Sequence, residues 1–476
     1  GFTGLLLLEQ LAVPLPLTDA TIPAGYEVIA DDPDDVAVLT LPLGWRSSFG
    51  VMGAENTRNQ YYMVGHGKRL VQGNISRAPN EKFTYWEKLP LLGSLIEIQN
   101  DRSVPEERKT QDKARALEVM KLLGARYVIV HPAIVGRPPY VDNRERALEY
   151  LHEVLPLEPL YTGDDLLVYR VDAPAPESGS LNWGTPESEI YRVAGWGPNE
   201  HNGETTFNWA QGEATFLLPL ASEERPLTVT LEVRPFQLPQ SVQPIVNGRS
   251  VGSPLAVESG WHEISFVVPP ATLNSPTARV TLRFSRADRP VDVTPGADMI
   301  GQTGIATRAE ITVKSAGRRL SDLDPEGLAW ITVNGAEASA HRFGTNVTVV
   351  DPATEEVEAV RGFDTMDNAS ERDQLHAFIE SIPAGKIVIV ALRGPATAFL
   401  NLDTVAVLKT LGAEAPPGPG PTGRGVSYAL IGVKGASEGS AQEAQSSTEA
   451  VDLVHAPDER PLSSAVRAVR WQQGEP

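Results

Sequence analysis

Leu227-Thr-Val-Thr-Leu-Glu-Val233, Glu263-Ile-Ser-Phe-Val-Val268 and Ala278-Arg-Val-Thr-Leu-Arg-Phe284 decide how the middle of this chain folds. In each, apolar residues take every second position, the period of a strand with one face in a core and one in water. Glu213-Ala-Thr-Phe-Leu-Leu-Pro219 reads the same way. Val246-Asn-Gly-Arg249 supplies a hairpin turn, because Asn-Gly tolerates positive φ. Helical periodicity is absent from this region. Closely spaced strands without helices predict a β-sandwich over 185–313, of jelly-roll, galactose-binding-like type.

Upstream the pattern changes. Val36 to Leu43 and Arg126 to His131 read as buried strands, and Leu166 to Val171 as a later one. Between them, Lys113 to Gly124 and Arg144 to Leu155 carry apolar residues at helical spacing. That alternation predicts an α/β layer over 13–172, with Gly44 to Asn100 as long loops over one sheet face. Ala173 to Gly184 has the Pro/Ser/Gly composition of a linker. Phe2 to Leu8 is an apolar run at once followed by Glu9 and Gln10, too short to span a bilayer, so 1–12 reads either as the remnant of a membrane-proximal apolar helix or as a short buried helix.

Downstream, Lys314 to Gly327 reads as a second linker. Ala329 to Val333, Asn346 to Val350, Lys386 to Leu392 and Tyr428 to Lys434 read as strands, and Ser370 to Ile382 and Asp403 to Leu411 as helices. These define a compact α/β domain over 326–455. The last stretch, 456–476, reads as a tail. The fold class expected is thus multidomain α+β, with three separate cores, as a length of 476 residues suggests.

Composition bounds the function. The net charge of −20 and the pI near 4.9 argue against phosphate backbones and against peripheral binding to anionic lipid. Cysteine is absent, which removes disulfides, thiolate zinc sites and thiol nucleophiles together. The eight histidines show no helical zinc spacing, so neither a metal nor another cofactor is expected. Asp31 to Asp35 and Asp322 to Glu326 cluster oxygens without the rhythm of a calcium loop, and solvated turns are the expectation there. Gly435-Ala-Ser-Glu-Gly439 matches a nucleophile elbow in letters, but a Ser/Gly/Gln-rich stretch follows where a helix is required. No catalytic centre is expected in these residues.

Aromatics carry the best binding signal. Trp183, Trp196, Trp209 and Trp261 gather in or beside the predicted sandwich, with Asn199 and Asn208 nearby. Sugar rings stack apolar C–H faces on indole while amides and carboxylates take their hydroxyls, the mixture that ligand sites generally use. Buried tryptophans are also ordinary core residues. Trp196, flanked by Gly195 and Gly197, is the best candidate for an exposed ring in a loop.

Several spaced motifs in the last domain resemble the ILEI/PANDER family: Trp330-Ile-Thr-Val-Asn-Gly335, Gly344-Thr-Asn-Val-Thr-Val-Val-Asp-Pro352, Gly362-Phe-Asp-Thr365, Ile382-Pro-Ala-Gly385 and Ala429-Leu-Ile-Gly-Val-Lys-Gly435. The resemblance implies a compact α/β fold. A related domain forms the sugar-binding stem of an O-mannose N-acetylglucosaminyltransferase. By that resemblance Arg361 matches a basic residue of the stem and Tyr428 its closing-strand aromatic, while Val426 stands where the stem carries an acid.

Leu41-Pro-Leu-Gly-Trp-Arg46, His66-Gly-Lys-Arg69, Gly73-Asn-Ile-Ser-Arg77, Leu122 to Val130 and Gly260-Trp-His-Glu263 resemble the soluble region that follows the membrane helices of large bacterial GT-C glycosyltransferases. That resemblance implies an extracytoplasmic position, anchorage through N-terminal membrane helices, and a catalytic acid elsewhere in the parent protein. The functional expectation is a non-catalytic carbohydrate-recognition region for a glycan or glycolipid, with other envelope proteins as further partners and nucleic acid excluded. The alternative is a structural scaffold of an envelope assembly. The expected sugar contacts are Trp183, Trp196, Asn199, Trp209, Arg361 and Tyr428.

Overall fold

A computed structural model describes residues 21–475, apart from 49, 55, 78–79, 133–139, 164–165, 318–327, 419–425 and 448. The expected apolar helix of 1–12, the acidic cluster of 322–326 and most of the Pro/Gly loop before residue 426 lie outside the described residues. Two compact units emerge: residues up to 287 together with those from 462 onward, and residues 288–461.

In the first unit, strands β1 (Ala37–Leu41), β2 (Gly44–Ser47) and β3 (Gly50–Gly53) lead to helix α1 (Arg58–His66). Strands β4 (Arg69–Leu70) and β5 (Gly73–Asn74) precede helices α2 (Asn80–Lys88), α3 (Leu92–Gln99) and α4 (Glu106–Leu122). Then come β6 (Ala125–Val130), α5 (Tyr140–Val154), β7 (Glu158–Thr162) and β8 (Leu167–Arg170). The main sheet runs β4-β1-β6-β8-β7, with β4, β1 and β6 parallel. The α/β layer is therefore present. Gly44 to Asn100, expected as loops, instead holds three helices and a small β3-β2-β5 sheet. Helix α4 starts at Glu106, a turn and more ahead of the reading, because Pro105 sets its entry and Glu106 and Glu107 favour its positive N-terminus.

The strand-rich part follows as β9 (Ser178–Asn182), β10 (Arg192–Trp196), β11 (Glu200–Asn202), β12 (Thr205–Pro219), β13 (Leu227–Pro235), β14 (Gln240–Val246), β15 (Arg249–Ser250), β16 (Leu255–Val257), β17 (His262–Val268) and β18 (Thr277–Phe284). Along β13 the side chains of Leu227, Val229, Leu231 and Val233 are fully buried, while Thr230 faces outward and bonds Ser265 across the pair at 2.8 Å. The alternation read from the sequence is therefore real.

The second unit contains β19 (Ile311–Ala316), β20 (Leu328–Val333), β21 (Ala336–Glu337), β22 (Gly344–Val350), β23 (Val357–Phe363), α6 (Ala369–Ser381), β24 (Ile387–Arg393), α7 (Leu402–Lys409), β25 (Ser427–Val433), β26 (Gln442–Ser446) and β27 (Val451–His455). Every residue of β22 and β25 is buried. One face of their sheet packs on Leu375 and Ile379 of α6 and Val407 and Leu408 of α7; the other meets Ile311, Val313 and Ile331 of β19 and β20. Two covered faces explain the uninterrupted apolar runs. Asn368 and Asn401 cap the two helices by accepting Ser370 and Thr404 amides. Residues 314–316, expected in a linker, end strand β19.

The chain then returns to the first unit as β28 (Ser464–Gln473), which pairs with β12, β13 and β9. Two expectations are corrected here. The middle of the expected C-terminal tail, 464–473, is an interior strand, with Val466, Val469 and Trp471 buried; and 178–182, expected in a linker, belongs to the sheet. The α/β layer and the strand-rich part also share one hydrophobic cluster, so they form one unit rather than two separate cores. Among the described residues no helix is long and apolar enough to cross a membrane.

Candidate functional site

A cleft of about 870 Å³ opens in the first unit between α2, α4 and the segment from Pro186 to Asn199. Its walls are latched by α4. Arg108 donates to the Lys88 and Leu89 carbonyls at 3.0 and 2.7 Å, satisfying acceptors that the end of α2 leaves open. One further turn and more along, Arg115 donates to the Glu187 carbonyl at 2.5 Å. Tyr85 on α2 is buried and gives its hydroxyl to the Ile190 carbonyl at 2.6 Å. Arg108, Gln111 and Arg115 share one helical face, so the same face that ties the walls also lines the cleft.

Trp196 ends β10 and forms the aromatic wall. Its indole N–H donates to the Thr215 carbonyl at 2.8 Å, and its ring meets Trp183 edge-on at 5.1 Å. The ring is thereby held half-buried, with one part against the core and one toward the cleft. Gly195 makes this possible. Its φ is +76°, and a Cβ there would sit 1.8 Å from the Glu213 carbonyl oxygen. Trp196 thus stands on a paired strand rather than in a loop.

Polar groups ring the indole. Asn199 accepts from Arg192 at 2.8 Å and from Asn208 at 3.1 Å, and donates to Glu189 at 2.9 Å. Asn208 also donates to the Gly197 and Pro198 carbonyls, fixing the loop after Trp196. Asn199 is therefore a bracket, its oxygen accepting twice and one of its two amide hydrogens given to Glu189. Burial lowers the pKa of the Arg192 guanidinium, and its Nε is buried without a partner. Glu187 is held below the usual carboxylate range by its own backbone N–H, then by Thr185 and Arg115. Among the described residues, the Lys88 ammonium and the Gln111 amide face the cleft with no side-chain bond to the protein. Sequence reasoning missed these two; they sit in stretches not read as helix, far in sequence from Trp196.

The remaining expected contacts lie elsewhere. Trp183 is wholly buried, its ring 5.4 Å from Phe216, so it supports Trp196 and touches no ligand. Trp209 belongs to another cluster with Phe207, Phe236 and Trp261, where Arg234 lies 5.8 Å over its ring. In the second unit Arg361 is exposed on β23, but Tyr428 on β25 is fully buried and donates to Glu443 at 2.7 Å. Strands β22 and β24 separate them, about 14 Å of sheet, so this pair makes no shared site. Tyr428 as a sugar-stacking residue is corrected to a core residue, because its strand is covered on both faces.

The other sequence candidates resolve locally. Arg126 pairs with Asp32 at 3.0 Å and Asp34 at 2.7 Å, Arg69 pairs with Asp35, and Lys68 donates to the Asp34 carbonyl, so protein cations neutralise that acidic run. After Gly435 to Gly439 comes strand β26 where a nucleophile elbow needs a helix. Among the described residues no group of three or more His, Asp or Glu is placed to hold a metal.

The chain is a mixed α/β protein with several sheets and one aromatic-walled cleft among its described features. Residues 343–436 match the ILEI family, Interleukin-like EMT inducer. No curated protein matches the chain. Structurally similar chains include an isomalto-dextranase of Arthrobacter globiformis T6 complexed with panose, at 11% identity and a TM-score of 0.20, covering 46% of this chain and 48% of that one. A GH2 beta-galacturonidase from Eisenbergiella tayi bound to glycerol matches at 11% identity and a TM-score of 0.12, covering 49% and 38%. The arabinofuranosyltransferase AftD from Mycobacteria matches at 10% identity and a TM-score of 0.19, over 96% of this chain and 57% of that one. This chain thus spans about half the length of the first of them.

Proposed function

We propose that this chain is the extracytoplasmic carbohydrate-recognition region of a bacterial membrane glycosyltransferase-like protein, without catalysis in its own residues. One observation carries the reading: a cleft of ligand size in which half-buried Trp196 faces unspent donors at Lys88 and Gln111 and acceptors at Glu187 and Glu189. An indole wall with convergent polar groups suits a sugar ring, whose C–H face and hydroxyls need both. The ILEI match at 343–436 and the motifs resembling the GT-C soluble region support the wider setting.

Calorimetric titration of the purified chain with a panel of glycans tests this. Binding is expected, and Trp196→Ala weakens it about thirtyfold, as about 2 kcal/mol of lost stacking and burial requires. A chain that binds none of them at millimolar sugar, or a Trp196→Ala variant that binds as the parent does, overturns the reading.

A further inference from the structure

The chain-wide charge conceals a local reversal. Residues 44–77 hold five cations (Arg46, Arg58, Lys68, Arg69, Arg77) and one acid (Glu55), a net of +4 in a chain of −20. Lys68 is buried and Arg69 is paired at the surface with Asp35, so those two charges are already engaged by the protein. Arg46, Arg58 and Arg77 are exposed. Arg58 and Arg77 have no ion-pair partner among the described residues.

The same segment also exposes four aliphatic and aromatic side chains. Val64 is 80% exposed, Val51 56%, Ile75 51% and Tyr61 48%. The small sheet sets Val51 opposite Arg46 on β2 and Arg46 opposite Asn74 on β5, and the backbone of Ile75 borders them, its amide donating to the Arg46 carbonyl at 2.8 Å. Helix α1 adjoins this sheet, since Gln60 donates to the Asn74 carbonyl at 3.2 Å. Gln60, Tyr61 and Val64 share one helical face, and Arg58 lies one turn before Tyr61. Isolated exposed aliphatics need no explanation, but four of them interleaved with three outward cations do.

We propose that this face, built from α1 and the β2-β3-β5 sheet, docks on an anionic lipid surface. Protruding Val, Ile and Tyr side chains enter the headgroup boundary while arginines meet lipid phosphates, the combination by which peripheral surfaces bind membranes. The net positive local charge complements an anionic headgroup layer; the bulk acidity of the chain then orients the molecule with this face toward the lipid. The face shares no residue with the cleft lining, so the inference stands apart from glycan recognition.

Co-sedimentation of the full chain with vesicles of phosphatidylcholine alone, or mixed with phosphatidylglycerol, tests it. The chain is expected to partition onto the mixed vesicles only, and to be released by high salt. Replacing both Arg58 and Arg77 by Gln lowers the partition about thirtyfold, from about 1 kcal/mol per cation at an anionic surface. Val64→Asp also lowers it, and leaves the circular dichroism unchanged because the side chain is 80% exposed. Absence of partition, equal partition onto neutral vesicles, or variants that bind as the parent does overturn the proposal. So does a dimer, seen by sedimentation velocity, that the Val64→Asp change dissolves in a chain that ignores lipid.

Discussion

Trp471 offers a quantitative test of the return strand. On β28 it faces Val229 of β13 on one side and Gly179 of β9 on the other, and it is 5% exposed. Its ring occupies the space a side chain at 179 would need, for a Cβ on Gly179 would lie 2.2 Å from it. Trp471→Ala uncovers about 200 Å² of apolar surface, worth up to about 5 kcal/mol. Against this, the indole N–H is buried without a partner, and its removal returns about 1–2 kcal/mol. The expected net loss is about 3–4 kcal/mol, within the usual range for a buried Trp truncation. Urea unfolding should show the transition of the first unit moving down by about 1 M, for a slope of about 3 kcal/mol/M, with the transition of 288–461 unmoved. A change below about 0.5 kcal/mol, as at a surface tail, would refute the placement of β28.

Three further outcomes follow from the same geometry. Burial holds His66 and His131 near pKa 4, with the Lys68 and Arg144 charges adding to the effect, so both are neutral in the folded chain at pH 7. Because their folded pKa lies below the unfolded value of about 6.5, stability is complete above pH 6.5 and falls as pH drops toward 4; His131→Gln should flatten that slope in urea midpoints taken across this window, and an unchanged slope contradicts it. Tyr428→Phe removes the bond to Glu443 and should cost about 1 kcal/mol in the second unit, with glycan affinity unaltered; an affinity loss would return Tyr428 to the binding site. Gly195→Ala should lower both stability and glycan affinity, because the Cβ collides with the Glu213 carbonyl and displaces Trp196; wild-type affinity in a folded variant argues against Trp196 as the wall.

Much of the fold was legible where one face of a strand is wet. Leu227 to Val233 and Ala278 to Phe284 alternate because each buries one side only. Strand β28 was illegible for a local reason and a distant one. Between Glu232 and Val233 the pairing skips Arg467, and this bulge places buried Val466 and Val469 three apart, which breaks the period of two. Its partner Val229 also lies 242 residues before Trp471. Helix α3 was missed because nearly all of Leu92 to Gln99 is buried, leaving no polar face to set a helical period. Helix α1 scatters Tyr61 and Val64 onto its wet side, and the docking proposed above accounts for that.

The site was half legible. The glycines beside Trp196 set it apart in the sequence, and Gly195 does take the positive φ that β10 needs, although Trp196 sits on a strand and not in a loop. Trp183 and Trp209 carried the same residue type without the same surroundings, and one is core while the other joins a separate aromatic cluster. Lys88, Gln111 and Arg115 come from helices whose approach to β10 is a tertiary event, with no local sequence mark. Tyr428 looked available only because its strand was not yet known to be covered on both faces.

The central claim is that a sugar ring settles against one indole of the eight in this chain. Labelling with 5-fluorotryptophan and assigning the Trp196 fluorine signal through Trp196→Phe makes that directly visible by NMR. On adding a bound glycan, the Trp196 resonance should shift while those of Trp209 and Trp261 stay fixed; a stationary Trp196 signal, or a shift at Trp209 and Trp261 instead, contradicts the account.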